Sequence, residues 1–285
     1  MTRVAEIEAH IGNMVELREI VGAMRSLASM RVQRTLQMLP GIRGYAEAMA
    51  KGIGAALLLM PEPASPRATD HGRRALVLFT AEHGFVGGFN ERLLDAVVAA
   101  LDRRDRLFIL GMRGVIAAEE RGLATAWTDP MATRPEAAAE TTRRLTSELY
   151  RGIASGEITR VEVMFARHRQ SREMTIERRL VFPVDPASFA APRSRQPPLH
   201  NIAAARLLEK LIADYVFALL TGAAVESLAS ENAARFAAMQ SAHDNISDKL
   251  EGLRRDASQA RQDEITTELI DLVTGAEAQA STRHE

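Results

Sequence analysis

Apolar residues recur along the two ends of the chain with a helical period. Val225, Ala229, Asn232, Phe236, Met239, His243, Ile246, Leu250, Leu253, Ala257 and Ala260 are spaced alternately four and three residues apart. A sustained period of about 3.5 residues predicts a left-handed coiled-coil seam. The first segment offers a partner stripe: Val4, Ile7, Ile11, Met14, Leu17, Val21, Met24 and Ala28, with a repeated step of three at Met14. That repeat reads as a stammer, which overwinds a supercoil locally. Pro40 and Gly41 predict a kink or interruption, after which Tyr45, Met49 and Ile53 resume the stripe as far as Leu59. Met60-Pro61-Glu62-Pro63 ends it. A single helix over 200–275 would be about 110 Å long at about 1.5 Å per residue, so it is expected to project from a domain of this size.

Between these ends the pattern changes. Short apolar runs at 75–80 (ALVLFT), 106–111 (RLFILG) and 160–166 (RVEVMFA), and the segment 174–182, predict strands. They alternate with helical segments at 91–101, 114–121 and 135–152. This alternation predicts a small α/β layer with a largely parallel sheet. All 11 prolines lie between Pro40 and Pro198, which leaves both ends free to form long helices. The expected division is a first coiled-coil helix over 1–60, an α/β domain over 67–198 with a proline-rich linker at 183–198, a second coiled-coil helix over 199–276, and a tail at 277–285.

Composition narrows the chemistry. The 285 residues contain no Cys, which excludes disulfides, thiolate catalysis and Cys-ligated zinc. With 36 basic and 37 acidic residues, the net charge of -1 argues against a nucleic-acid coat. Aromatics at 5% are sparse for a β-sandwich. The N-terminus lacks the apolar core of a signal peptide, and the longest nearly uncharged stretch, 215–228, is short for a membrane span; a soluble protein is expected. No HExxH or His/Asp cluster predicts a metal site, and no G-x-S-x-G elbow predicts a nucleophile.

Two features carry candidate chemistry. The loop at 83–90 (HGFVGGFN) follows a strand and opens a helix, where a phosphate turn would sit. Its G-x-x-G-G spacing is neither a dinucleotide fingerprint nor a P-loop, so a tight strand–helix turn is favoured over nucleotide binding. Arg18, Arg25, Arg31 and Arg34 on the first helix, and Arg235, Arg254, Arg255 and Arg261 on the last, read individually as surface charge. Together they could engage acidic loops of a surrounding partner.

Residues 261–275 (RQDEITTELIDLVTG) resemble the C-terminal signature of the F-type ATP synthase gamma subunit family. Residues 226–239 (ESLASENAARFAAM), Asp244-Asn245, 20–31 (IVGAMRSLASMR) and 84–90 (GFVGGFN) resemble further elements of it. His243 stands where the family has Thr, Val86 where Cys is usual, and 195–200 (RQPPLH) departs from the usual pattern. Such departures fit a divergent paralogue in an alternative F-type complex.

The resemblance implies a central-stalk rotor: a long antiparallel two-helix coiled coil from the terminal segments plus a central Rossmann-like α/β foot. The rotor would couple ion flow through a membrane ring to nucleotide-site changes in an alpha-beta hexamer. The implied partners are the alpha and beta subunits, an epsilon-type stalk subunit and the membrane c-ring, on the cytoplasmic face of a bacterial inner membrane. No cofactor, metal or catalytic residue is expected in this subunit. Residues expected to contact the alpha-beta ring are Met24, Arg254, Arg255, Arg261, Gln262, Leu269, Ile270, Leu272 and Val273. The alternatives are a nucleotide-binding protein using the 83–90 loop and a non-rotary coiled-coil scaffold.

Overall fold

The computed structural model describes residues 3–60, 72–168, 174–189 and 199–281. The proline pair expected to end the first helix, most of the proline-rich linker and the last residues of the tail lie outside them. The elements, in order, are α1 (Arg3–Leu57), β1 (Arg73–Phe79), α2 (Phe89–Ala100), β2 (Arg106–Leu110), α3 (Met112–Glu120), β3 (Thr125–Asp129), α4 (Ala138–Ala154), β4 (Ile158–His168), β5 (Met174–Phe182) and α5 (Ala204–Ser281). The chain forms two compact units, Met1–Ser26 with Ala237–Glu285, and Leu27–Phe236. Both α1 and α5 run through both units.

In the first unit, helix pairing follows the predicted seam. Met239 and Leu250 are buried at 4% and 1% exposure, and Ala257 and Ala260 are also buried. Pairing is antiparallel: Glu8 meets Arg261, Gly22 faces His243, and Arg25 Nη1 donates to Gln240 Oε1 at 3.0 Å. The register of α1 differs from expectation. Leu17 is 42% exposed, whereas Arg18 is half-buried and Val21 is buried. The stripe therefore steps Met14, Arg18, Val21 with no stammer. Hydrophobicity alone favoured Leu17, but a long Arg stem can cover apolar surface while its guanidinium reaches water.

The second unit holds the sheet, ordered β3-β2-β1-β4-β5. The first four strands are parallel, and β5 runs antiparallel to β4. Inner parallel strands need both faces covered, which explains the apolar runs of β1, β2 and β4. On one face α4 (Leu145, Leu149) and α5 (Val216, Leu220, Ala223, Ala224, Leu228) pack on Val77, Phe79, Val163 and Phe165. On the other, α2 (Leu93, Leu94, Val97) and α3 (Val115, Ala118) pack on Leu76, Leu78, Ile109 and Met164.

Several sequence expectations need correction here. Pro40 lies inside α1 without ending it. Pro40 is exposed, as is Leu36 at 38%, the residue whose carbonyl loses its donor, so water can satisfy that group. Tyr45 and Phe236, counted in the stripes, are 41% and 37% exposed. β3 (TAWTD) escapes prediction because it is short, polar and half-buried at an edge. The helix expected at 135–152 opens as a 3-10 turn, Pro135–Ala137, before α4. The last helix starts at Ala204 rather than near 199. α5 also contains a membrane-length window of mean hydropathy 1.5. Just over half of that window, 56%, is buried, so core packing accounts for its apolarity.

Candidate functional site

The switch point of an open parallel sheet, where strand order reverses, is the usual place for a ligand. Here it lies at the carboxyl ends of β1 and β4, and α5 occupies it. Ser227 Oγ donates to the Phe79 carbonyl at 2.9 Å, with Ala223, Ala224 and Leu228 packed beside it. Arg235 Nη2 donates to the carbonyls of His83 and Gly84 at 3.3 and 3.4 Å and to Glu231 Oε1 at 2.7 Å. Arg235 is 8% exposed, so the expectation of a surface charge is corrected: this side chain ties α5 to the glycine loop.

The loop has its own internal ties. Glu82 Oε2 accepts from the backbone N–H of Met112, at the start of α3, and of Met131, at 3.2 and 2.9 Å. Asn90 Oδ1 accepts from the Ala81 N–H at 2.9 Å. Glu82 thus ties the start of the loop to α3 and Met131, and Asn90 ties its end back to Ala81, which suits a tight strand–helix turn. Gly87 adopts φ +54, as the turn requires. Val86, in the place where Cys is usual in the family, is buried against α2 and α3. Among the described residues, no group of three or more His, Asp or Glu is placed to hold a metal ion.

The residues expected to meet a surrounding ring all lie in the first unit. Arg254, Arg255 and Gln262 are exposed and share one face of α5 with Glu251, Ser258, Gln259 and Asp263. Arg261 is exposed too, but its guanidinium is paired with Glu8 of α1. Met24 is half-buried beside the seam. Leu269, Ile270, Leu272 and Val273 are 57%, 59%, 71% and 58% exposed, so they are not seam core within this chain.

What the sequence reading missed is the polar side of α5. Thr221, Glu226, Ser227, Ser230, Glu231 and Arg235 are all buried. Their signal was the polar residues of the 226–239 segment, which recur on the same turns as the buried apolar ones.

The sequence model of the ATP synthase family matches residues 3–279. The ATP synthase gamma chain of Gemmatimonas aurantiaca is 28% identical over 298 residues, covering 98% of this chain and 99% of that one. The ATP synthase gamma chain of Frankia casuarinae is 27% identical over 290 residues, covering 97% of each chain. Among solved structures, a chain of the Euglena gracilis mitochondrial ATP synthase in rotational state 3 aligns with TM-score 0.66 at 11% identity. That alignment covers 98% of this chain and 95% of the other. A chain of the Tetrahymena thermophila mitochondrial ATP synthase central stalk and c-ring aligns with TM-score 0.53 at 16% identity, covering 78% and 99%. With a match along nearly its whole length and relatives of the same kind, this chain belongs to the ATP synthase gamma subunit family.

Proposed function

We propose that this chain is the central-stalk rotor of an F-type ATP synthase or ATPase. It couples ion flow through a membrane ring to nucleotide-site changes in an alpha-beta hexamer. The observation that carries the reading is the end-to-end family match, laid over an antiparallel pair of terminal helices in each unit. In this reading the α1–α5 pair sits inside the hexamer and the α/β unit serves as the foot, against an epsilon-type subunit and the c-ring. The assembly is held at the cytoplasmic face of a bacterial inner membrane. Chemistry belongs to the beta subunits, so the rotor acts by population shift: an asymmetric surface stabilises a different state in each of several otherwise equivalent neighbours.

The exposed α5 face of Arg254, Arg255 and Gln262 suits charge-assisted bonds to acidic or polar loops of the ring. Arg261 can exchange its exposed Glu8 partner for a ring carboxylate at small cost. Leu269, Ile270, Leu272 and Val273 give the end of α5 an apolar surface, and apolar contacts have no preferred angle. Met24 would pack near the lower rim of the ring.

The test is reconstitution with the alpha, beta and membrane subunits of an F-type complex from the same organism. Arg261→Ala combined with Gln262→Ala is expected to lower ions transported per ATP hydrolysed while the complex still assembles. Unchanged coupling would remove these two contacts. Failure of the unaltered chain to assemble with alpha and beta would remove the rotor reading itself.

A further inference from the structure

The α5 face on the sheet is built largely from small and aliphatic side chains, Ala223, Ala224 and Leu228 among them. Such a surface adheres without fixing register, because apolar burial is non-directional. One carboxylate interrupts it. Glu226 is 6% exposed, and its two oxygens point to two different elements. Oε1 accepts from Arg43 Nη2 of α1 at 3.0 Å. Oε2 lies 3.2 Å from Arg167 Nε of β4, off the hydrogen-bond axis. Arg167 Nη1 in turn donates to Glu177 Oε1 of β5 at 2.6 Å. One side chain therefore ties both long helices to the sheet.

We infer that Glu226 is a positioning residue for torque transfer, keying α1 and α5 to the sheet so that the helices cannot turn or slip against it. Only the carboxylate is buried, at 8% side-chain exposure against 54% for Arg43 and 34% for Arg167, so these pairs add little to stability and act by fixing register. The apolar cluster supplies adhesion, Ser227 and Arg235 hold α5 to the end of β1 and its loop, and Glu226 adds the tie that also takes in α1. This rests on the rotor reading, in which a twist carried by α1 and α5 must reach the sheet.

The test fixes the assembled complex by its alpha-beta part, attaches a rod to the α/β unit of this chain, and measures the angular fluctuation of the stalled rod. Glu226→Gln is expected to widen the distribution and to lower ions moved per ATP. Adding Arg43→Gln to that variant should widen it no further, since both remove one link. Arg143→Gln is the control. It deletes a pair with Glu140 within α4 whose side chains are 63% and 58% exposed, and it should leave the width unchanged. A width in Glu226→Gln equal to the unaltered chain, or equal widening by Arg143→Gln, overturns the inference. If Glu226→Gln does not assemble, Arg43→Gln decides alone: widening supports the key, and no widening removes it. A complex whose unaltered stalk does not rotate would instead overturn the rotor reading.

Discussion

Glu231, at 4% exposure, has its carboxyl pushed up to about 7. Burial is the largest cause; Arg235 and Arg31 oppose it, and Glu82 adds to it. The sign follows from linkage. A carboxyl with a raised folded pKa contributes stability that is fully present below its ordinary value of 4.5 and is lost as pH rises through about 7. Glu231→Gln has no such loss. Its melting temperature relative to the unaltered chain should therefore climb between pH 5 and pH 8, by the equivalent of about 1–3 kcal/mol. A difference that stays flat over this range would show that Glu231 ionises as if solvated. Gly114 is a second residue-scale case. A Cβ there would lie 2.1 Å from Thr80 Oγ1, and Thr80 is held by the Leu110 and Gly111 carbonyls. Gly114→Ala should cost about 1–3 kcal/mol in denaturant unfolding, as overpacking does.

At the scale of elements, the seam register decides which apolar residues matter. Leu250 is 1% exposed and Leu17 is 42% exposed, although both are Leu on paired helices. Leu250→Ala should cost about 2–5 kcal/mol, and Leu17→Ala about 0.5 or less, by chemical denaturation of the full chain. Equal losses would restore the stammer and put Leu17 back into the seam. Pro40 gives the opposite sign: inside α1 and exposed, it forgoes a backbone hydrogen bond. Pro40→Ala should raise stability, up to about 3 kcal/mol.

These elements also show how far sequence pattern reaches. The heptad run from Val225 to Ala260 was legible because a 3.5-residue period sustained over many turns places apolar side chains along one line of a helix, and only a paired helix covers such a line. β1, β2 and β4 were legible because apolar runs of strand length mark a sheet covered on both faces. β3 was not, because an edge strand with one polar face carries little apolar signal. Arg18 against Leu17 was not, because which of two adjacent residues faces a partner depends on the partner.

For the whole molecule, the apolar end of α5 is a surface that the described residues leave exposed. Replacing Leu269, Leu272 and Val273 by Ser should leave unfolding of the isolated chain within about 0.5 kcal/mol, as for surface positions. In the reconstituted complex, the same triple variant should weaken ATP-driven ion transport. A large loss of stability in the isolated chain would mean that these residues pack within it and would remove them from the partner surface.

Sequence by itself determined the helix-rich ends, the alternating α/β centre and the family, because periodicity, proline placement and an extended signature are local properties of a chain. Tertiary structure alone decided that Arg235 is buried, that Ser227 and α5 occupy the switch point of the sheet, and that Glu226 joins α1, α5 and β4. Those outcomes depend on residues far apart in sequence meeting at distances of about 3 Å, and no local pattern encodes which distant group arrives.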